Sequence, residues 1–567
     1  MQRTCKNSWC QQPFEITQED RNFYEKVSPI FNGKKETIQL PTLCPECRLH
    51  RRMTWRNERN LFHRTCSRCE RPVIALYHPH TSFPVLCANC FFGERDDETA
   101  LGKPFNPAAT FFGQFAELLA RAPRIALLSK NSENSEYTNH AADNRNCYLS
   151  FIIFTCEDVL YSRKVFGSRN IVDCHYVFES SDLAYECFWS SRLNRCSYLI
   201  NCFSMSDSHF CIDCRNCTSC FLCSNLRNKQ FCFENKQYSP EEYDRLVGGR
   251  RGSHRQHLQW KELFRERAVH QTIYKNLEIT NGENCSGDYL LNSKNLHRCF
   301  YSTAAEDMRY CVECDPSRSL GVAHDAMDVF GFGSSELLYE VQSQANGYHT
   351  IANNFSYDVR NCFYIDNCHD IQDCFGCVGL HHKQYCILNK QYAKEEYERL
   401  VPRIIEHMRK NGEWGEFFPS SLSPFSYHET VSQQYFPLTK AEVNKRGWRW
   451  QEEKDEAPKV NEMLSAGDLP DSIDDISDDI LNTTIECGAT RKPFKIVKQE
   501  LNFYRIMRLP IPRLHPDERH RRRMALRNPL TLWNRVCRKC GKEMQTTYAP
   551  DRPEQVYCEE CYLKEVY

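Results

Sequence analysis

The chain lacks a charge excess, a long apolar run and a signal peptide. Its 567 residues contain 73 Lys and Arg against 74 Asp and Glu, so any affinity for a polyanion requires a local basic patch. No apolar run approaches the roughly 18 residues that argue for a membrane-spanning helix. The start, MQRTCKNSWC, lacks the charged and apolar regions of a secretory signal. We therefore expect a cytoplasmic protein without membrane contact.

Familiar catalytic motifs are also lacking. The sequence has no P-loop, no G-x-G-x-x-G after a strand, no H-E-x-x-H and no G-x-S-x-G. His80 or His382 alone is more often a surface or core histidine than a catalytic base. A non-enzymatic function is favoured. A solenoid carbohydrate-active enzyme, which would need a carboxylate pair, is the third alternative.

Cysteine, in contrast, is abundant, with 34 residues. In a reducing compartment, clustered Cys-x-x-Cys pairs indicate metal sites rather than disulfides. Two such pairs separated by seventeen residues occur near each end of the chain. Four thiolates at this spacing suit tetrahedral Zn²⁺ and leave no open position for a substrate. We therefore predict two structural zinc ribbons, with ligands Cys66, Cys69, Cys87 and Cys90 in the first and Cys537, Cys540, Cys558 and Cys561 in the second.

A further zinc site is predicted ahead of the first ribbon. Its ligands would be Cys5, Cys10, Cys44 and Cys47, where the second pair opens a helix as in a treble-clef finger. The C-terminal copy of this site has lost ligands, because only Cys487 remains and Thr490, His515 and Glu518 occupy the other positions. The sequence thus predicts about three zinc ions per chain. Packing and ion pairs would hold the degenerate copy.

The chain is duplicated at two levels. RLHRRMTWRNERNLFHRTCSRC at 48–69 returns as RHRRRMALRNPLTLWNRVCRKC at 519–540. NLRNKQFCFENKQYSPEEYDRLV, ending at Val247, returns as GLHHKQYCILNKQYAKEEYERLV, ending at Val401. Each middle copy consists of short units of about 10 to 13 residues, in which a polar corner precedes a few Cys, aromatic or β-branched residues. This pattern predicts two β-solenoid repeats, and a meandering antiparallel sheet is the alternative.

We accordingly predict a multidomain, β-rich chain with helical linkers, in which paired zinc-ribbon or treble-clef modules flank two tandem Cys-rich β-solenoid repeats. An amphipathic helix in the linker after the first module should dock that module onto the first repeat. The predicted segments are an N-terminal double zinc module (1–97), a linker helix (98–130), repeat 1 (131–250), a helical connector (251–277), repeat 2 (278–405), an aromatic and Pro-rich strap (406–455), a solvated acidic linker (456–484) and a C-terminal zinc module (485–567).

The cysteine run CIDCRNCTSCFLC lies inside repeat 1, from Cys211 to Cys223. In repeat 2 the counterparts of Cys211 and Cys217 are Ile365 and Ile371. Exchange of Cys for Ile is typical of a packed interior, since free Cys behaves as a small apolar side chain. Interior packing is the favoured interpretation. A metal or iron–sulfur cluster and redox chemistry remain alternatives.

Arginines accumulate beside both ribbons. On a helix starting at the CPEC sequence, Arg48, Arg52, Arg56 and Arg59 fall on one face. Arginine suits phosphate, and aromatic neighbours can stack on unpaired bases, so we predict nucleic-acid binding, with RNA slightly favoured over DNA. The alternative is a protein partner, with the arginines in internal ion pairs. The residues predicted to bind nucleic acid are Arg48, Arg51, Arg52, Arg56, Arg59, Arg64, Arg522, Arg523, Arg527 and Arg535.

Five stretches together resemble a family of Cys-rich zinc-ribbon proteins found in uncultivated, small-genome bacteria. They are CPECRLHRRMTWRNERNLF, NSEYTNHAADNRNCYL, NKQYSPEEYDRL, GEWGEFFPSSLSPF and PIPRLHPDERHRRRMALRN. The resemblance covers nearly the whole chain. It implies bound zinc and this architecture, and it leaves the activity open. The x4 spacing between Cys5 and Cys10 departs from the x2 spacing usual in that family.

Overall fold

The computed structural model describes residues 1–93, 97–248, 252–314, 323–331, 333–451 and 463–567. The chain forms two compact units. Unit 1 contains Met1–Leu127 and Leu277–Gln451, so it joins the N-terminal module to repeat 2. Unit 2 contains Leu128–Asn276 and the described part of 452–567, so it joins repeat 1 to the C-terminal module. Each terminal module thus packs with the repeat farther from it in sequence.

Both repeats are β-solenoids, as predicted, and the meandering alternative is wrong. Successive strands pair in parallel with partners twelve residues apart, as in Asn139 with Phe151 and Phe151 with Arg163. A thirteen-residue turn occurs at Ser180, where Arg169 pairs with Asp182. Repeat 2 mostly follows the same rule, for example in Val359 with Ile371, whereas Ile279 pairs with Leu290 and Ala305 with Ala323. Stacked parallel turns satisfy the backbone hydrogen bonds of each strand with those of its neighbours.

Corners recur along each turn at every third residue. Asn170, Asp173 and Tyr176, for example, have φ values of 52°, 56° and 57°. Asn and Asp tolerate this left-handed conformation better than most side chains, which explains the polar corners of the sequence. Corner side chains also stack, since Asn134 Nδ2 donates to Asn146 Oδ1 at 2.9 Å. The recurrent Asn and Asp residues therefore stabilise the turns.

Most strands of repeat 1 are short, although Phe188–Ile200 and Arg215–Ser224 are longer. In chain order the strands are Ser129–Lys130, Asn139–Ala142, Phe151–Phe154, Glu157–Leu160, Arg163–Phe166, Arg169–Val172, His175–Phe178, Asp182–Tyr185, Phe188–Ile200, Phe203–Ser206, His209–Ile212, Arg215–Ser224, Gln230–Phe233 and Lys236–Gln237. The last two pair antiparallel, and the helix Pro240–Val247 follows them. A longer helix, His254–His270, contacts the strands His209–Ile212 and Arg215–Ser224.

Repeat 2 has the same design. Its strands are Ile279–Glu283, Gly287–His297, Cys299–Thr303, Ala305–Arg309, Ala323–Met327, Ser335–Tyr339, Gln344–Asn354, Ser356–Asp366, His369–Phe375, Cys386–Ile387 and Lys390–Gln391. Again the last pair is antiparallel, and the helix Lys394–Lys410 follows. The strap then continues through short turns at Ser420–Leu422 and Tyr427–Glu429 and the helices Ser432–Tyr435 and Lys440–Lys445.

The N-terminal module is built from short hairpins and helices. Its strands are Gln2–Thr4, Pro13–Glu15, Ile30–Phe31, Lys34–Lys35, Phe62–Thr65, Pro72–Ala75, Val85–Leu86 and Arg124–Ile125, and its helices are Gln18–Val27, Pro45–Met53, Ala88–Phe92 and Phe111–Leu119, with a 3-10 turn at Glu98–Leu101. The last helix corrects one prediction. The Phe111 ring centroid lies 5.3 Å from those of Tyr364 and Phe375, so this helix docks on repeat 2 rather than repeat 1.

The C-terminal module repeats part of this plan. Its strands are Ile485–Glu486, Pro493–Phe494, Trp533–Val536, Glu543–Thr546 and Gln555–Tyr557, and its helices are Lys498–Met507, Pro516–Met524 and Glu559–Val566. The strand Ile273–Lys275, after repeat 1, pairs with Gln555–Tyr557. None of the helices in the described ranges is both long and apolar enough to cross a membrane.

The acidic segment ahead of this module is ordered where the structure describes it. After a strand at Leu464–Ser465, residues 466–481 form three 3-10 turns, Ala466–Asp468, Ile473–Asp475 and Asp478–Leu481. Ile473, Ile476 and Ile480 are buried in the core of unit 2. The expectation of a solvated linker is therefore wrong for this part, because isoleucines between the aspartates anchor it. Residues 456–462 of the predicted linker lie outside the described ranges.

Candidate metal centres and arginine clusters

Three groups of four cysteines have sulfur atoms that all lie within 4.8 Å of one another. Two belong to the N-terminal module and one to the C-terminal module. They are Cys5, Cys10, Cys44 and Cys47; Cys66, Cys69, Cys87 and Cys90; and Cys537, Cys540, Cys558 and Cys561. The structure thus brings together the twelve cysteines in the sets that their spacing predicts. Each set could hold a metal ion.

Backbone N–H groups near these sulfur atoms stabilise their negatively charged thiolate form. Cys44, Cys87 and Cys558 each precede the first turn of a helix. Their backbone N–H groups donate to the first cysteine of each set, as in Cys87 N to Cys66 Sγ at 3.3 Å and Cys558 N to Cys537 Sγ at 3.2 Å. Such hydrogen bonds favour the thiolate form that binds metals.

Side chains favour the thiolate at one cysteine of each N-terminal set, whereas burial raises the pKa of Cys10 to about 11 and hydrogen bonding with Cys87 raises that of Cys90 to about 12. Hydrogen bonding from Cys47 lowers the pKa of the Cys44 thiol to about 5. The Arg71 guanidinium, whose Nε lies 3.5 Å from Cys69 Sγ, lowers the pKa of that thiol to about 6. Four closely spaced sulfur donors fit a tetrahedral soft or borderline cation and leave no position for a substrate. The arrangement therefore suits a structural metal site.

The degenerate site keeps the shape of its intact copy. His515 N donates to Cys487 Sγ at 3.2 Å, as Cys44 N donates to Cys5 Sγ at 3.4 Å. Glu518, which replaces a cysteine, instead forms ion pairs of 2.7 Å with Arg521 and Arg522. Hydrogen bonds from these arginines lower the pKa of Glu518 to about 2. Ion pairs have replaced the metal ligands at this position.

The cysteine run of repeat 1 lines the solenoid interior. Cys211, Cys214, Cys217, Cys220 and Cys223 are at most 1% exposed and pack with aliphatic side chains. Their spacing of three matches the three-residue interval between corners, so each faces inward. Cys217 Sγ lies 3.2 Å from Arg215 O, the carbonyl two residues earlier. The inward side chain of Ser208 makes the same contact with Ser206 O, again two residues earlier. Within the described residues this run forms no group of three converging ligands. These observations favour interior packing.

In unit 1 the predicted phosphate-binding arginines are buried. Arg48 and Arg52 are 2% and 0% exposed. Arg48 Nε lies 2.7 Å from Asp328 Oδ2, and Arg52 Nη1 lies 2.6 Å from Glu340 Oε2. Burial alone would lower the pKa of Arg48, but Asp328 beside it raises that pKa, so the guanidinium stays charged. Both arginines clamp the module to repeat 2.

Their neighbours are used in the same way. Arg51 pairs with Glu340 of repeat 2 and with Glu416 of the strap, each at 2.7 Å. Arg56, 3% exposed, pairs with Glu58 at 2.7 Å and lies over the ring of Phe330. The prediction of phosphate contacts is therefore wrong for Arg48, Arg51, Arg52 and Arg56, because intramolecular carboxylates already occupy their guanidinium groups.

Unit 2 contains the matching cluster. Arg519 and Arg523 correspond to Arg48 and Arg52, and both pair with the buried Asp173. Arg519 Nη2 also lies 3.2 Å from Glu500 Oε1. Arg523 is 5% exposed, so its predicted phosphate contact is wrong as well.

The acidic partners were missed because they lie far away in sequence. Glu186, whose Oε1 lies 3.8 Å from Arg523 Nη1, is related to Glu340 by the shift of 154 between the two repeats. The thirteen-residue turn at Ser180 displaces Asp173 by one position from the counterpart of Asp328. A comparison of the two repeats could have identified these carboxylates, because both repeats have acidic residues at equivalent corners.

The remaining predicted arginines differ in exposure. Arg64 and Arg535 donate to backbone carbonyls of their own terminal modules, at His78 O and Ala549 O. Arg59 and Arg527 are half-buried. Arg522 is exposed, with 51% of its side chain accessible, although it also pairs with Glu518. Of the ten predicted residues, Arg522 is the most accessible to a ligand.

Exposed positive charge is concentrated elsewhere in the C-terminal module. Between residues 491 and 542 the exposed acidic side chain is Asp517, whereas eleven basic side chains are exposed. The part of the module that follows is acidic, with Glu543, Asp551, Glu559, Glu560 and Glu565 exposed. The corresponding N-terminal segment is 11–71, because CQQPFEITQEDRNFY from Cys10 matches TRKPFKIVKQELNFY from Thr490. It has six exposed basic and five exposed acidic residues. The eleven are Arg491, Lys492, Lys495, Lys498, Arg505, Arg508, Arg521, Arg522, Arg538, Lys539 and Lys542.

No protein-family model matches this chain, and a search of curated proteins also finds no match.

Proposed function

We propose that this protein is a non-enzymatic, zinc-stabilised scaffold that binds nucleic acid, RNA ahead of DNA, through the exposed basic surface of its C-terminal module. The observation that carries the proposal is the imbalance between eleven exposed basic residues and one exposed acidic residue over 491–542. A local excess of this kind attracts phosphate even when the chain as a whole is neutral.

Some of these cations already face carboxylates. Arg505 and Arg508 pair with Asp478 and Asp474 of the acidic segment, and Lys539 pairs with Glu565. Arg521 and Arg522 share Glu518. Five others form no ion pair with a carboxylate of the described residues, and the sixth, Lys542, acts on Glu560 only at longer range, where its charge adds to that of Lys564 in lowering the pKa of that carboxyl. The six are Arg491, Lys492, Lys495, Lys498, Arg538 and Lys542.

Zinc is the metal that best fits the three sulfur sets, because four thiolates in a closed tetrahedron are typical of structural zinc. In this proposal the ions hold the ribbons, and the solenoids provide a rigid body to which the modules are clamped. The half-buried Trp533, at the start of a ribbon strand, offers a ring for stacking on an unpaired base. Stacking of this kind favours single-stranded RNA over duplex DNA.

The test uses a fluorescent single-stranded RNA and a variant with Lys492, Lys495, Lys498 and Lys542 changed to Gln. Each phosphate neutralised contributes about 0.7 to the salt dependence of binding to a single strand, so the variant should flatten the log–log salt slope by up to about 3. The matched control changes Lys6, Arg21, Lys35 and Arg68 of the N-terminal module to Gln and should leave the slope unchanged. Equal slopes for the parent and the first variant would refute the proposed surface.

A protein partner is the second candidate, and one observation favours it. The exposed face of repeat 1 carries a groove of about 790 Å³ lined by acidic, basic and amide side chains, including Glu133, Arg145, Glu157 and Arg169. Alternating charges suit a polar peptide rather than a polyanion. If the purified protein carries no nucleic acid, judged by its 260/280 absorbance before and after nuclease treatment, this candidate takes first place.

A further inference from the structure

A fourth group of converging donor atoms lies on the surface of repeat 2, outside the cysteine sets. His324, Asp325 and Glu336 each offer a nitrogen or oxygen atom, and these atoms all lie within 4.8 Å of one another. Among the described residues, it is the one group of three or more potential metal ligands that contains no cysteine.

The register of the solenoid brings these side chains together. His324 and Asp325 lie in the strand Ala323–Met327, and Glu336 of the next strand pairs directly with His324. His324 Nδ1 lies 3.2 Å from Asp325 Oδ2, and His324 Nε2 lies 3.8 Å from Glu336 Oε2. Because 39% of the His324 side chain and 41% of the Glu336 side chain are accessible, an ion can reach the group from solvent.

Carboxylates dominate the surroundings of the imidazole. Glu306, on the preceding turn, pairs in register with His324 and adds a third acidic side chain to this part of the surface. Lys26, from the helix Gln18–Val27, lies 2.5 Å from Asp325 Oδ1 and leaves Oδ2 facing His324. The ammonium group of Lys26 therefore competes with any second cation at Asp325, whereas it leaves the oxygen atoms of Glu336 available.

Repeat 1 has an arginine where repeat 2 has His324. Asp182 corresponds to Glu336 at the shift of 154, and it pairs in register with Arg169. Glu157 pairs with Arg169 on the other side, and Arg169 Nη2 lies 2.9 Å from Asp182 Oδ2. A guanidinium is a fixed cation with no acceptor, whereas a neutral imidazole nitrogen can bind a metal ion. Repeat 2 thus replaces the cation of an ion-pair column with a potential ligand.

We propose that His324, Asp325 and Glu336 bind an exchangeable divalent transition-metal ion, for which Zn²⁺ is the probe. The ligands are one imidazole nitrogen and one oxygen of each carboxylate, which are donors that zinc accepts. Three protein ligands leave further coordination positions to water, unlike the closed cysteine sets. An ion held here should therefore exchange with solvent and be lost on dialysis. The site is independent of the basic surface of the C-terminal module.

The test exchanges the histidine for its counterpart in repeat 1. The full chain, purified with zinc so that its cysteine sets are loaded, is titrated calorimetrically with Zn²⁺ in mildly alkaline buffer, because metal ligands must be deprotonated. His324→Arg installs the residue that repeat 1 has at this position, so the fold should be retained. Loss of the imidazole should weaken the additional binding by more than the roughly 10- to 100-fold that loss of an outer-shell partner costs.

Two further variants separate metal binding from a general effect on folding. Lys26→Gln should tighten the additional binding several-fold, because the ammonium no longer competes for Asp325. His382→Arg is the matched control, since His382 forms a similar pair with Asp370, at 2.6 Å, without a third ligand among the described residues, and its affinity should equal that of the parent. No saturable Zn²⁺ binding beyond the cysteine sets, equal affinity in the parent and His324→Arg, or weaker binding in Lys26→Gln would overturn the proposal.

Discussion

In each unit the terminal module docks on its solenoid repeat through the same kinds of residue, but the two units differ in which charged side chains stay exposed. Arg48 and Arg52 meet Asp328 and Glu340 in unit 1, as Arg519 and Arg523 meet Asp173 in unit 2. The tyrosine pair is also repeated, because Tyr24 and Tyr339 form the same edge-on contact as Tyr504 and Tyr185. The main role of each arginine-rich helix is therefore to attach its module to a solenoid repeat.

The surfaces outside the clamp distinguish the units. The N-terminal module has two four-cysteine sets and a nearly balanced exposed charge, whereas the C-terminal module has one set and a basic surface. In unit 1 the strap supplies Glu416 to Arg51, whereas in unit 2 the corresponding Arg522 pairs with Glu518 in its own helix. Glu518 thus marks both differences, because it replaces a cysteine of the four-cysteine set and pairs with the exposed Arg521 and Arg522.

The largest expected effect comes from removing a metal ligand. If the four-cysteine set of unit 2 holds zinc as proposed, Cys558→Ser should release that ion and unfold the C-terminal module, since structural zinc supplies about 10 kcal/mol or more of apparent folding free energy. Cys44→Ser should also remove one zinc, but the second ribbon of unit 1 should stay folded. Elemental analysis should give about three zinc in the parent and two in each variant.

Cys487→Ser is the control for both variants and should retain three zinc, because its site has lost the other ligands. A fall in zinc content in this variant would show that the degenerate site binds metal.

The next effect comes from breaking the buried clamps. Asp328→Ala and Asp173→Ala should each destabilise their own unit by about 3–5 kcal/mol, because two buried guanidinium groups then lose their shared carboxylate. Chemical denaturation followed by hydrogen exchange should localise the loss to unit 1 or unit 2.

The matched control is Asp207→Ala, whose pair with Arg195 is about half exposed and should cost less than about 1 kcal/mol. Equal losses for Asp207→Ala and Asp173→Ala would contradict a clamp formed by buried ion pairs.

The smallest effect is expected from exchanging interior residues between the repeats. Cys217→Ile in repeat 1 and Ile371→Cys in repeat 2 should each cost about 1–3 kcal/mol, because each adds or removes two heavy atoms at a packed interior position without burying a charge or removing a proposed metal ligand. Zinc content and absorbance should be those of the parent, as measured by elemental analysis and a visible spectrum. Loss of metal or of a coloured species from Cys217→Ile would instead indicate a cluster in the cysteine run.

Periodic features were predictable from the sequence because they depend on neighbours close in the chain. The polar corners of 131–250 and 278–405 predicted solenoid turns, since a corner at every third residue fixes which side chains point inward. The Cys-x-x-Cys pairs predicted the three sulfur sets, because two knuckles and one loop bring four sulfur atoms together locally. The helical face of Arg48 and Arg52 was also foreseen.

The use of that face was not predictable from local sequence. Its partners Asp328 and Glu340 lie about 280 residues away, and their carboxylates resemble many other acidic corners. The same holds for the helix Phe111–Leu119, whose apolar face fits either repeat by sequence but docks on repeat 2.

By itself, then, the sequence determined the repeating turns, the sulfur sets and the amphipathic helices, because each follows from spacing along a short stretch of chain. Only the tertiary structure decided that the N-terminal module packs with repeat 2 and the C-terminal module with repeat 1. That choice determines which charges are buried and which stay exposed. Burial of a charge depends on contacts with residues far away in sequence, and the local spacing of the arginines does not predict those contacts.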